Sequence, residues 1–250
     1  MTRSWGRTIW KPIFNSLHFS IASGEFVSVI GPSGCGKSTL LAIAAGLEDA
    51  TGGTVYVDDN LVRGPGLDRG VVFQEFALFP WLTVQGNIAF GLRSQGVSKA
   101  ETAERAAKYV DLVGLSKFAD YYPNRLSGGM RQRVGLGRAL AIEPSVLLMD
   151  EPFGALDALT RETMQRALAE IWQQTRKTVL FITHDIEEAV FLSDRVLVLN
   201  GHPSRIVCEL GIDLPRARDR NEPQFQTYVR QLDDAIRGNH SDTDNQEEDQ

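Results

Sequence analysis

The sequence predicts an α/β fold built on a mainly parallel sheet. Short apolar runs bounded by turn residues alternate along the chain with longer segments of helical character. Each run is almost continuously apolar, which is typical of strands that helices cover on both faces. A glycine-rich turn joins the first strand to the first helix. Together, these observations favour a doubly covered parallel sheet.

The clearest motif follows the first predicted strand, Phe26–Ile30, and precedes a predicted helix over residues 40–45. The turn has the G-x-x-x-x-G-K-[ST] spacing of a phosphate-binding loop, in the strand–turn–helix context that this motif requires. A plain Gly/Ser-rich loop is the alternative, and the complete motif argues against it. The candidate nucleotide-binding residues are Gly31, Pro32, Ser33, Gly34, Cys35, Gly36, Lys37, Ser38 and Thr39.

The residue types of this loop suit a triphosphate. The glycines let the backbone curl closely enough for several N–H groups to converge on phosphate oxygens, and a helix N-terminus adds further N–H groups and the positive end of its dipole. Lys37 brings a positive charge to the outer phosphates. The Ser38 hydroxyl is a candidate ligand of Mg²⁺.

The remaining elements follow from apolar runs, turn residues and caps. Ser98 and Glu101 have the spacing of a capping box, and Gly114 is the predicted end of that helix. The predicted strands cover residues 54–57, 71–73, 146–149, 179–182 and 196–199, and the predicted helices cover 98–109, 131–142 and 158–174.

Four polar residues follow the ends of predicted strands: Gln74, Asp150, Glu151 and His184. Ligands of open parallel sheets bind beyond the carboxyl ends of the strands, so these side chains are expected near the phosphate loop. Asp150 is a candidate Mg²⁺ ligand opposite Ser38, and Glu151 is placed to polarise a water that attacks the γ-phosphate. Two acids that cap the next helix are the alternative interpretation.

His184 and Gln74 are weaker signals on their own, because a lone histidine at a strand end is more often structural. Beside the other strand ends, His184 could contact the γ-phosphate and orient Glu151 or the water. Gln74 could ligate Mg²⁺ through its amide oxygen and hold the same water. The predicted catalytic residues are therefore Glu151, His184 and Gln74.

A second glycine-rich element, Ser127-Gly128-Gly129, opens another predicted helix. It too offers N–H groups and a hydroxyl to an anion. One triphosphate needs one such cradle, so this element is either a plain helix cap or a contact for a nucleotide held by another copy of the chain.

Composition restricts the class of protein. The 250 residues are 42% hydrophobic and 23% charged, as in ordinary globular proteins, and no apolar run approaches the roughly 20 residues of a membrane span. No signal peptide is expected, and the isolated cysteines, Cys35 and Cys208, suggest a reducing compartment without disulfides. We expect one domain over residues 1–237 with a helical lobe over about 85–140.

The net charge of −6 comes mostly from the last residues, 238–250, which hold five acids and neither Lys nor Arg. This acidic segment is predicted to be disordered. The rest of the chain is nearly neutral, so no nucleic-acid-binding surface is expected.

The motifs and their order resemble those of the ATP-binding cassette (ABC) family. Ser127 lies 23 residues before Asp150, as in that family, although Met130 stands where glutamine is commoner. The resemblance covers about Trp5 to Leu199. It rests on residues 31–39, Gln74, residues 126–132, residues 146–151, residues 155–157 and His184.

The resemblance implies a P-loop NTPase of the ABC ATPase type, with an antiparallel β portion and a helical lobe that carries the signature. It implies a head-to-tail homodimer that sandwiches two ATP molecules with Mg²⁺. Ser127, Gly128 and Gly129 of one copy would contact the nucleotide bound by the other, and Asp157 would link the two sites. Trp5 is placed where the family stacks an aromatic on adenine, with Trp10 as the competing residue.

Stretches at residues 64–74, 156–161 and 182–189 further resemble importers of taurine, aliphatic sulfonates and nitrate. The resemblance implies a peripheral subunit at the cytoplasmic face of the inner membrane, with two transmembrane permease subunits and a solute-binding protein outside. Phe76–Trp81 would contact the permease, although core packing explains these aromatics equally well. The alternatives are ABC ATPases acting on DNA or ribosomes, and regulatory nucleotide binders without turnover.

Overall fold

The computed structural model describes residues 12–238. Its centre is a six-stranded sheet of order β4-β5-β6-β1-β7-β8, in which β7 and β8 pair antiparallel and all other neighbours pair parallel. A separate two-stranded antiparallel sheet joins β2 and β3. The strands are β1 Phe26–Ile30, β2 Tyr56–Val57, β3 Asn60–Leu61, β4 Arg69–Val72, β5 Val146–Asp150, β6 Thr178–Ile182, β7 Arg195–Asn200 and β8 Arg205–Gly211.

Helices lie on both faces of the large sheet and form a lobe beside it. The α-helices are α1 Lys37–Ala45, α2 Val84–Ser94, α3 Lys99–Leu112, α4 Gly128–Ala141, α5 Ala158–Thr175, α6 Ile186–Leu192 and α7 Pro223–Arg237, and the 3₁₀ turns are Ser116–Phe118 and Pro123–Arg125. The predicted α/β class with a mainly parallel sheet, an antiparallel portion and helices is confirmed.

The central strand β1 explains why the apolar runs are continuous. All five of its residues are buried, and alternate side chains enter two different apolar clusters. On one face, the Phe26 ring packs against Phe181 and against Trp172 of α5. On the other face, Val27 and Val29 lie with residues of α1. A strand buried on both faces needs an apolar residue at nearly every position.

Two predicted strands differ from the structure. The strand predicted over 54–57 is only Tyr56–Val57, which pairs with Asn60–Leu61 across a two-residue turn. Asp58 and Asp59 both have positive φ, 47° and 62°, as a type I′ hairpin turn requires. The strand predicted over 71–73 is Arg69–Val72 in the structure. Phe73 follows the last residue of this strand and is 40% exposed.

The helical lobe consists of α2, α3 and α4, with α2 packed against the other two. Ser98 caps α3 by accepting a hydrogen bond from Glu101 N at 3.2 Å, as the capping spacing predicts. Gly114 follows the end of α3 with φ 69°, which favours glycine. Helix α4 begins at Gly128, three residues before the predicted start, because Ser127 is its cap.

Among residues 12–238, no helix has both the length and the apolarity needed to cross a bilayer.

Candidate nucleotide site

The phosphate loop joins β1 to α1 and requires glycine at its two ends. A Cβ at Gly31 would lie 2.2 Å from the Leu199 carbonyl oxygen, and one at Gly36 would lie 2.5 Å from Cγ2 of Ile13. Gly36 caps α1 with φ 91° and gives no side-chain cap, and the first turn of α1 holds no acid. The N–H groups of this turn and the positive end of the dipole therefore remain available to an anion.

Lys37 already lies within the loop. The residue is buried, and its Nζ donates hydrogen bonds to the carbonyl oxygens of Gly31 at 2.8 Å and Pro32 at 3.0 Å. These contacts hold the ammonium group beside the backbone that is expected to cradle phosphate. The positive charge that the phosphates would require is therefore already positioned within the folded loop.

Ser38 and Asp150 come together across the edge of the sheet. Ser38 Oγ donates to Asp150 Oδ1 at 3.2 Å, which joins the first turn of α1 to the end of β5. Burial raises the pKa of the Asp150 carboxyl, and the neighbouring Glu151 charge adds to this effect. The hydrogen bond from Ser38 and the charge of Lys37 lower the pKa and oppose the rise.

Glu151 and His184 form the second pair. Oε2 of Glu151 lies 3.0 Å from Nδ1 of His184, within hydrogen-bond distance. Glu151 has φ 41°, in the left-handed region that a non-glycine residue rarely adopts. The bond from its N–H to the Ile182 carbonyl, 2.9 Å, holds this conformation and keeps the two strand ends adjacent.

Gln74 is exposed and lies beside the turn that follows Glu151. A Cβ built on Gly154 would be 3.3 Å from Gln74 Nε2 and 3.7 Å from Glu151 Oε2. The amide and the carboxylate thus flank the same residue. The structure brings Ser38, Asp150, Glu151, His184 and Gln74 to the carboxyl edge of the sheet, as the order of the strands predicts.

Ser127 and Asp157 are both helix caps. Ser127 Oγ accepts from Met130 N at 3.3 Å, and Asp157 Oδ1 accepts from Thr160 N at 3.0 Å. The bonds from Thr160 lower the pKa of the exposed Asp157 carboxyl. Gly129 lies close to Thr160, since a Cβ there would be 2.8 Å from Thr160 Cγ2.

A cavity of about 390 Å³ borders this second element. Its lining includes Ser127, Gly129 and Met130 but none of the phosphate-loop residues. In one chain, the two glycine-rich elements therefore face different spaces.

Some residues near the site belong to no motif that predicts a role there. Arg161 and Glu188 line a small cavity together with Glu151 and His184. Both lie in stretches that resemble the importers, but no motif indicates a role for them at the site. Phe14 packs beside Gly36 with Ile13, which no pattern in that segment indicated. Trp5 and Trp10, the candidates for adenine stacking, lie outside the described residues.

The aromatic segment after Gln74 divides between core and surface. Phe76 and Leu78 pack against the main apolar core. Trp81 is 69% exposed and Phe90 is 42% exposed, and the Phe79 ring lies 5.6 Å from the former and 4.3 Å from the latter. We call Phe79, Trp81 and Phe90 the exposed aromatic patch.

Comparison with known proteins assigns the chain to a family. The family model described as "ABC transporter" matches residues 14–154, more than half of the chain. The chain belongs to the ABC transporter family. It is an ATP-binding subunit of that family, and its reaction is the hydrolysis of ATP to ADP and phosphate.

Three relatives of this ABC protein illustrate the similarity. The taurine import ATP-binding protein of Pseudomonas aeruginosa is 52% identical over 82% of this chain and 78% of its own length. The nitrate import ATP-binding protein of Synechocystis is 49% identical over 89% of this chain and 87% of its own. A solved dimeric ATP-binding cassette in a post-hydrolysis state, bound to ADP and phosphate, has a TM-score of 0.69 at 35% identity and covers 81% of this chain and 92% of its own.

Proposed function

We propose that this chain is the ATP-hydrolysing subunit of an importer for a small anion, with taurine or another sulfonate as the solute. The pairing of Glu151 with His184 beside the Ser38–Asp150 pair carries the hydrolytic part of this proposal. The functions of two relatives support import. Taurine import belongs to one relative and nitrate import to another, so nitrate is the second candidate solute.

The residues at the loop fit Mg²⁺. Ser38 and Asp150 supply a hydroxyl and a carboxylate oxygen 3.2 Å apart, and hard oxygen donors are what this cation prefers. Among residues 12–238 there is no group of three acidic, His or Cys side chains that could hold a metal. Mg²⁺ at a nucleotide also takes phosphate oxygens and water as ligands. Gln74 is a further candidate ligand. Bound Mg²⁺ supplies charge that offsets the charge developing on the phosphates.

The chain's own residues would carry out hydrolysis in the following way. Backbone N–H groups of the loop and Lys37 would bind the phosphates and stabilise their charge. Glu151 would accept a proton from the attacking water, and His184 would orient that carboxylate through the 3.0 Å contact. Gln74 would help to hold the water. Productive geometry at Glu151 is therefore the central requirement.

We further propose a head-to-tail homodimer in which Ser127 and Gly129 of one copy meet the nucleotide on Lys37 of the other. The separate cavity beside Ser127 supports this arrangement, since it contains no phosphate-loop residue of the same chain. The dimeric solved relative is consistent with it. Asp157, at the cap of α5 next to this cavity, would connect the two sites.

The exposed aromatic patch is the proposed contact for a short helix of the permease. Trp81 and Phe90 are exposed and both pack against the half-buried Phe79 ring, and clusters of exposed aromatics are typical of interaction sites. The assembly would contain two ATP-binding subunits at the cytoplasmic face of the inner membrane, two transmembrane permease subunits and an external solute-binding protein.

Growth of a strain lacking this chain tests the solute. The strain would be given taurine, other alkanesulfonates or sulfate as sole sulfur source, and nitrate as sole nitrogen source. Loss of growth on taurine alone supports taurine import. Normal growth on every sulfonate with failure on nitrate would move the solute to nitrate, and growth on all of them would contradict the importer assignment for these anions.

A further inference from the structure

A buried carboxylate that the proposed chemistry does not use lies behind Glu151 and His184. Glu188 of α6 is 4% exposed, and its Oε1 accepts a hydrogen bond from Gln165 Nε2 at 2.7 Å. Thr183, which directly precedes His184, lines a small cavity together with Glu188, and its hydroxyl accepts a hydrogen bond from Asp185 N at 3.0 Å. Since burying a charge is costly, the position of Glu188 calls for an explanation.

Arg161 lines the same small cavity as Glu188, and its positive charge favours the ionised form of that carboxylate. Burial raises the pKa of the Glu188 carboxyl and the Asp185 charge adds to this, whereas hydrogen bonds from Thr183 and Gln165 and the charge of Arg161 lower it. The cavity has a volume of about 10 Å³, and Glu151 and His184 also line it. Such a space is about the size of one water molecule.

The Arg161 guanidinium fixes the turn that follows the catalytic carboxylate. Its Nε donates to the Phe153 carbonyl at 3.3 Å and its Nη2 donates to the Leu156 carbonyl at 2.9 Å. These two carbonyls lie between Glu151 and Asp157. The planar fork of an arginine can hold two carbonyls in one geometry, which a lysine cannot do.

We propose that Glu188 is a positioning residue for ATP hydrolysis, holding Arg161 on the 151–157 turn across the small cavity that both residues share with Glu151 and His184. The Glu151 and His184 strand ends would thereby keep the mutual geometry that the attacking water requires. This inference rests on the proposed roles of Glu151 and His184. It extends them to the side chains of Glu188 and Arg161.

Glu188→Gln removes the negative charge of the Glu188 side chain but keeps its size and shape. We expect kcat to fall by about tenfold to a hundredfold, because small displacements of a reacting group have effects of that size. The KM for ATP should change by less than about twofold, because the phosphate loop is untouched. The matched control is Glu187→Gln, the neighbouring acid on α6, whose carboxylate lies at the surface 3.9 Å from Arg220 Nε. It should leave both constants at their wild-type values.

A double-mutant cycle with Arg161→Lys separates positioning from a general effect on packing. Arg161→Lys alone should lower kcat without a change in KM. If Glu188 acts through the arginine fork, the double variant should be no slower than Arg161→Lys. This second substitution also tests the proposal if Glu188→Gln proves poorly folded.

Three results would overturn the proposal. Glu188→Gln could have the same kcat and KM as Glu187→Gln, or the effects of Glu188→Gln and Arg161→Lys on kcat could multiply in the double variant. The third result is a KM of Glu188→Gln that rises together with a fall in its melting temperature. The last would indicate a purely structural carboxylate. Glu151→Gln in the same assay keeps the two proposals distinct. Retained turnover there would refute the role of Glu151 itself, whereas lost turnover there with normal Glu188→Gln would refute only this inference.

Discussion

At the scale of single residues, the site combines charges that cost stability with contacts that fix their direction. Asp150 is a half-buried carboxylate whose pKa is raised by partial burial, and it lies next to a second acid. Glu151 takes up a left-handed backbone conformation. Both features oppose folding, and both place oxygen atoms at the edge where the phosphate loop lies. Such conflicts between stability and placement are typical of functional sites.

Asp150→Asn should therefore stabilise the nucleotide-free protein at pH 7 and abolish its Mg²⁺-dependent turnover. A raised folded-state pKa means that the ionised carboxylate costs stability above that pKa, and the cost vanishes at low pH. The gain in melting temperature should shrink as the pH falls toward about 4, the ordinary aspartate range. Thermal unfolding across pH measures this.

Asp157→Asn is the matched control for that measurement. The pKa of the Asp157 carboxyl is lowered by hydrogen bonds, so its ionised form is favoured in the folded state, and asparagine caps helices equally well. This variant should show no gain in melting temperature at pH 7. A lower melting temperature for Asp150→Asn than for the wild type would contradict the conclusion that the ionised Asp150 carboxylate costs stability.

At the scale of elements, strand ends and helix starts supply the site. The sequence allowed Gln74, Asp150, Glu151 and His184 to be placed together because parallel strands bring their carboxyl ends to one edge. The contact of Arg161 with Phe153 and Leu156 could not be predicted, since it depends on how α5 packs behind the turn. The short β2–β3 hairpin was missed because its Asp58-Asp59 turn lacks glycine.

Ser127→Asn tests whether the signature serine is more than a helix cap. Asparagine caps a helix as well as serine does, so the free energy of unfolding should change by less than about 0.5 kcal/mol. If Ser127 contacts a nucleotide held by another copy, steady-state ATP hydrolysis should still fall about tenfold or more.

Ser98→Asn is the control on α3, where Ser98 makes the same kind of cap. It should retain both stability and turnover. Wild-type turnover in Ser127→Asn would show that Ser127 is a cap and nothing else.

At the scale of the whole molecule, the proposed nucleotide site lies at one edge of the sheet, and the proposed permease contact lies on the separate exposed aromatic patch. Fold class was predictable because continuous apolar runs imply a covered parallel sheet. The division of residues 76–81 between core and surface was not predictable, because the sequence cannot show which aromatic rings face outward. Adenine stacking by Trp5 stays a prediction, since that residue lies outside the described part.

Trp81→Ala should prevent assembly with the permease while leaving the fold intact. The side chain is 69% exposed, so the free energy of unfolding should change by less than about 0.5 kcal/mol. Co-purification of the subunit with its permease measures assembly. Tyr56→Ala, which removes another exposed aromatic from the β2–β3 sheet, should assemble normally. Unfolding of Trp81→Ala, or its normal assembly, would contradict the docking proposal.

Turnover and oligomeric mass of Glu151→Gln test the central claim most directly. The account predicts that hydrolysis falls by about a hundredfold or more, because the proposed general base is lost while the phosphate loop is unchanged. It also predicts that MgATP converts this variant into a stable dimer, as measured by light scattering. Hydrolysis at the wild-type rate, or a monomer at saturating MgATP, would contradict the proposed base or the proposed shared site.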